Sequence, residues 1–171
     1  MTSNPYDIAL GSMLGKIPDT WKTLQEFMCW YLDNRVPFLV PNGCGTVVTD
    51  DATAVSIFRR DRFQVEFYII HPNVNIKIHK HPDIETITVL LGGEKTPEDG
   101  YMGTSSNFNK NYPIVAAMNE KHGKFSESGY SNEGFAMLSF QHWRDGVSIT
   151  SAALNWRGPS AGPIHDKLLG R

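Results

Sequence analysis

His79-Lys80-His81-Pro82-Asp83-Ile84-Glu85, closed by Gly92, is the most informative run in this chain. Its spacing, H-x-H-x-x-x-E-x-x-x-x-x-x-G, sets two histidines two residues apart. On an extended strand alternate side chains share a face, so His79 and His81 point the same way. Pro82-Asp83 is a turn signal. A strand-turn-strand would bring Glu85 back beside them, and two imidazoles with a carboxylate can then converge on one metal ion. The same alternation extends that face to Lys77 and Asn75, where Lys77 can anchor an anionic substrate or pair with Glu66 across the sheet. On the following strand Glu85, Ile87, Val89 and Leu91 should share a face, an apolar wall suited to a small-molecule pocket.

Around this run the chain reads as short strands. They are expected near 45–49, 53–59, 62–70, 74–80, 84–91, 99–103, 112–118, 134–142 and 147–155. Turn signals separate them: Asn42-Gly43, Arg60-Asp61, His71-Pro72-Asn73, Gly92-Gly93, Asp99-Gly100 and Asp145-Gly146. Phe63, Val65, Phe67 and Ile69 alternate with Gln64, Glu66, Tyr68 and Ile70, the period of a half-buried strand. Such a series indicates an antiparallel sandwich or barrel. Residues 18–34 carry the one helical pattern, with Asp19 or Thr20 as cap and Trp21, Leu24, Phe27, Met28, Tyr31 and Leu32 as its apolar stripe. Cys29, inside that pattern, is expected to be buried. Arg59-Arg60-Asp61-Arg62 reads as a solvated turn.

The histidine run resembles the first motif of the cupin superfamily, G-x5-HxH-x3,4-E-x6-G. His79, His81, Glu85 and Gly92 match it, and Asn73 stands where the family has its leading glycine. The resemblance covers about residues 45 to 155. It implies a mainly β, cupin-like jelly roll (double-stranded β-helix), here preceded by an amphipathic N-terminal helix. The expected organisation is one domain over 1–171: a helical annex over 1–41, the jelly roll over 42–156 and a tail over 157–171. The family's second motif, G-x5-PxG-x2-H-x3-N, is degenerate. His122 is its best candidate histidine, with His142 as the rival.

The resemblance implies a divalent first-row transition metal held by His79, His81, Glu85 and His122. Fe(II) leads, with Mn, Ni or Zn as alternatives. Lys77 would bind substrate. A metal with open positions favours enzymatic chemistry of the dioxygenase-like, oxidoreductase class on a small, anionic molecule. Two other readings stand beside it. One is a non-enzymatic cupin that binds a small molecule or a protein. The other is a 2-oxoglutarate-dependent oxygenase using His81, Asp83 and His142, with Arg157 as co-substrate anchor.

Length and composition bound the rest. The 171 residues carry 40% hydrophobic and 20% charged residues with a formal net charge of −2, ordinary for a globular chain. General nucleic-acid binding is not expected, because Lys and Arg are neither abundant nor clustered. Cys29 and Cys44 do not make a disulfide framework, so a reducing cytoplasm is the simpler expectation. No long apolar run signals a membrane span. The partners expected are a small-molecule ligand and, from the resemblance, a second copy in a homodimer.

Overall fold

The computed structural model describes residues 17–36, 46–72, 79–92, 114–120 and 135–156. They form one helix, α1 (Leu24–Asp33), and six strands: β1 (Thr46–Val48), β2 (Ala52–Arg60), β3 (Phe63–Ile70), β4 (Ile84–Gly92), β5 (Ile114–Ala116) and β6 (Phe135–Trp143). The strands make a single antiparallel sheet in the order β1-β2-β3-β6-β4-β5. The β2–β3 hairpin turns at Asp61, whose positive φ suits a tight connection. β3 and β4 both pair with β6, so two segments distant in sequence are joined by a strand that comes after both.

The helix starts later than its apolar pattern suggests. Thr23, rather than Asp19 or Thr20, is the cap: its hydroxyl accepts from Glu26 N at 3.1 Å. The Glu26 carboxylate reaches back to Lys22 N at 3.1 Å. Asp19 and Thr20 serve the hairpin instead. Thr20 donates to Asp61 at 2.6 Å, and Asp19 pairs with Arg60 at 3.0 Å. Leu24, Phe27 and Tyr31 of the stripe are buried, whereas Leu32 and Cys29 are exposed. The expected burial of Cys29 is therefore wrong. The helix buries one face only, and residue 29 falls outside the 24/27/31 stripe.

Two apolar clusters lie on the two faces of the sheet. The helix face gathers Leu24, Phe27 and Tyr31 with Phe58, Phe63, Val65, Ile87, Leu138 and Phe140. Trp21, Phe27, Phe58 and Phe63 pack with ring centroids 4.6–6.3 Å apart, in the tilted and edge-on arrangements aromatic rings prefer. A β-bulge between Ser56 and Phe58 turns both Ile57 and Phe58 into this cluster. The opposite face gathers Ala54, Tyr68, Ile70, Ile84, Met137 and Trp143 under Ala152, Ala153 and Trp156.

This arrangement corrects two expectations. β3 is buried on both faces through Phe63, Gln64, Val65 and Glu66, because each side of the sheet has its own cover. Residues 147–155 are not a strand. They run irregularly across the sheet and close a turn in which Leu154 N and Asn155 N donate to Ser151 O at 3.0 and 3.1 Å. Their polar backbone is satisfied by side chains: Gln64 donates to Thr150 O at 2.9 Å, and Glu66 accepts from Ala152 N at 3.0 Å. The strand expected at 99–103 lies outside the described residues, as does most of that expected at 74–80. Among the described residues, no helix is long and apolar enough to cross a membrane.

Candidate metal and ligand site

His79 and His81 are both buried, and their ring centroids stand 5.0 Å apart in an edge-on arrangement. Trp156 stacks flat on His79 at 3.9 Å and meets His81 edge-on at 6.5 Å. The His81 ring hydrogen-bonds through Nδ1 to the Asn155 carbonyl. A carbonyl can only accept, so that bond places the ring proton on Nδ1 and the lone pair of the neutral imidazole on Nε2. Oriented imidazoles of this kind are what metal sites use.

The turn that follows is clamped from three sides. His81 O accepts from Asn119 N at 2.8 Å, and Asp83 O accepts from Arg144 N at 2.9 Å. The Asp83 carboxylate pairs with Arg144 and accepts from Asn155 Nδ2 at 2.8 Å, while Asp83 N donates to Asn155 Oδ1 at 3.1 Å. Nothing in the sequence signals Asn155, Trp156 or Arg144 as partners of this run. They lie more than sixty residues away and reach it only because the 144–156 segment folds back over the sheet.

Glu85 goes elsewhere. Strand alternation puts it on the face of Ile87, as expected, but that is the helix face, opposite the Trp156 cluster. There it pairs in register with His142, with Oε2 3.4 Å from His142 Nδ1. His142 in turn stacks on its other cross-strand neighbour, Phe63, at 4.5 Å and 7°. The structure thus brings His79 to His81, and Glu85 to His142, as two separate pairs. Among the described residues no three of His, Cys, Asp and Glu gather where they could hold a metal. The same holds for the set His81, Asp83 and His142: Asp83 is engaged by Arg144 and Asn155, and His142 by Glu85 and Phe63. His122, Lys77 and Arg157 lie outside the described residues.

The arginine-rich turn is also more engaged than its sequence suggests. Arg59 donates to Gln64, Arg60 to Pro18 O at 3.2 Å, and Arg62 to Trp143 O at 3.2 Å, Val147 O at 2.6 Å and Arg144 O. A guanidinium offers five fixed donors, so each can tie together backbone carbonyls that the sheet leaves unpaired. These residues hold structure rather than stand in solvent.

No family model and no curated protein matches the chain. Several solved structures are similar to it. One is AerE from Microcystis aeruginosa, at 15% identity and a TM-score of 0.43, covering 64% of this chain and 50% of that one. The chain therefore spans about half the length of AerE. Another is an uncharacterised conserved protein with a double-stranded β-helix domain from Klebsiella pneumoniae, at 13% identity and 0.41, covering 78% and 99%. A third is a cupin-2 domain protein from Rhodospirillum rubrum, at 12% identity and 0.41, covering 79% and 95%. The structures to which this chain is similar thus include cupin-2 and double-stranded β-helix proteins, and its described residues are mainly antiparallel β with one short helix.

Proposed function

We propose that this is a cupin-type protein that binds a divalent first-row transition metal through His79 and His81 and acts on a small molecule beside it. The observation carrying the proposal is the buried imidazole pair, one ring of which is oriented by a backbone carbonyl on Nδ1. Two neutral imidazoles suit Fe, Mn, Ni or Zn. The fit is partial. Glu85 does not join the pair in this arrangement, so further donors would have to come from outside the described residues, where His122 is the candidate. Lys77 keeps its proposed role as a substrate anchor. A metal held in this way would supply Lewis-acid or, with Fe(II), oxygenase-type chemistry. The protein's part is to exclude water with Trp156 and to hold the His81 ring through Asn155.

The engagement of Glu85 by His142 favours one second reading, a non-enzymatic binder with the same fold. Metal analysis of purified, chelator-free protein tests the proposal. About one ion per chain is expected, falling several-fold in His79→Ala and His81→Ala. Occupancy below about 0.2 in the wild type would sink the metal reading. Full occupancy without turnover of any oxidisable small molecule would favour the binder. Asn155→Ala, which frees the turn carrying His81, should weaken metal affinity roughly tenfold while leaving the sheet intact by circular dichroism.

A further inference from the structure

The sheet face that carries Ile84 and Trp143 also holds a band of buried polar side chains. Register sets them in two rows. Ser56, Glu66, Ser139 and Thr88 lie side by side across β2, β3, β6 and β4, and Gln64, Gln141 and Thr86 form the next row. The second row is internally paired at both amides. Gln64 accepts from Ser56 and Arg59 and donates to Gln141 Oε1 at 3.0 Å. Gln141 donates to Glu66 Oε2 at 2.7 Å and Ser139 Oγ at 3.2 Å, and it accepts from Trp143 Nε1 at 2.9 Å.

The first row is not. Glu66 is 2% exposed, and its hydrogen bonds all fall on one oxygen. Oε2 accepts from Tyr68 at 2.7 Å, Gln141 at 2.7 Å and Ala152 N at 3.0 Å. Oε1 accepts none from the described residues, and no cation among them touches the carboxylate. The hydroxyls of Thr86 and Thr88, 4% and 6% exposed, likewise make no hydrogen bond within the described residues. Burial, with the adjacent Glu66 charge, pushes the Tyr68 phenol well above its usual range, which keeps it a donor to the carboxylate. Glu66 Oε1 and the two threonine hydroxyls are not among the fully buried side-chain atoms that lack a partner, so they are not sealed off. A carboxylate in so buried a residue, balanced only by neutral donors, is costly. An occupant that brings donors and positive charge would relieve that cost.

We propose that this band is the recognition site for a small hydroxylated primary amine. Its ammonium group sits on Glu66 Oε1 and the remaining lone pair of Ser139 Oγ, and its hydroxyls reach Thr88 and Thr86. An ammonium has three donors and no acceptor, which matches oxygens that lack donors. The hydroxyls of the ligand can donate to or accept from threonine. The site involves other residues than the His79–His81 pair and requires no metal there.

The test is calorimetric titration of the full chain with three probes: 2-amino-1,3-propanediol, glycerol and isopropylamine. Glycerol replaces the ammonium of the first by a hydroxyl, and isopropylamine removes its hydroxyls. The aminodiol should bind tightest, with glycerol at least roughly tenfold weaker for want of the charge-assisted bond. Glu66→Gln should erase that preference. Thr88→Val, an isosteric change that leaves the carboxylate in place, should weaken the aminodiol several-fold and leave isopropylamine unchanged. Should Glu66→Gln fail to fold by circular dichroism, Thr88→Val decides between the outcomes, and unchanged aminodiol affinity in it overturns the proposal. The proposal is also overturned by equal affinity for aminodiol and glycerol, by no binding of any probe, or by a preference that survives Glu66→Gln. Binding that disappears on chelation and returns with metal would also overturn it, since the amine would then sit on the ion. Loss of metal with aminodiol binding intact would remove only the metal-site proposal.

Discussion

Thr23 and Asp51 show how much one side chain decides. A helix needs an acceptor for the N–H groups of its first turn, and a capping side chain stands two or three residues before the group it caps. Thr23 does so for Glu26, whereas Thr20 is drawn to Asp61. Thr23→Ala should therefore lower unfolding free energy by about 1 kcal/mol in urea denaturation. Thr20→Ala should have the smaller effect; the reverse ranking would refute the assignment. Asp51 is held above the usual carboxylate range by burial, with Asp50 adding to the shift and His71 opposing it. Its folded value lies above its unfolded one, so its contribution to stability is full below the unfolded value and is lost as pH rises through the folded one. Asp51→Asn should then stabilise the protein at neutral pH. The advantage should shrink as pH falls through the range where Asp51 protonates, as measured by thermal melts across the acid range.

At the scale of elements, Arg62 joins the β2–β3 hairpin to β6 and the segment after it, beside the links made by Gln64 and Glu66. Arg62 is half-buried and donates to the carbonyls of Trp143, Arg144 and Val147, none of which belongs to its own hairpin. Arg62→Met keeps the apolar stem and removes the donors, so it should cost about 1–3 kcal/mol by chemical denaturation. Arg62→Lys should restore only part, because an ammonium lacks the planar fork that spans several carbonyls. A loss within experimental error would show that water serves those carbonyls equally well. β4 illustrates how alternation decides a site: positions 84, 86 and 88 face one cluster and positions 85, 87 and 89 the other. A shift of one residue would exchange Glu85 for Ile84.

At the scale of the molecule, the sheet is a wall with a core on each side. Phe27 of the helix and Phe140 of β6 are both fully buried, with ring centroids 6.2 Å apart. Each truncation to Ala should cost about 3–5 kcal/mol. Because the rings share one cluster, the double variant should lose less than the sum of the two, by at least about 0.5 kcal/mol. Strict additivity in urea melts would mean that the helix packs independently of the sheet.

Much of this was legible along the chain. β2, β3, β4 and β6 are all expected from strand-like runs between turn signals, and the existence of α1 follows from Leu24, Phe27 and Tyr31. His79 and His81 can be read as sharing a face, because two residues on a strand always do. Such features depend only on neighbours in sequence, where backbone geometry dictates direction. Other features depend on which distant segment covers which face, and these only the tertiary structure decided. Asn155 and Trp156 reach the histidines across more than seventy residues, and the bulge at Ile57 changes the parity of β2. β6 sets His142 opposite Glu85, so the carboxylate that spacing assigned to His79 and His81 turns to the helix side. Alternation fixes that two side chains share a face; packing of the whole chain chooses what that face meets.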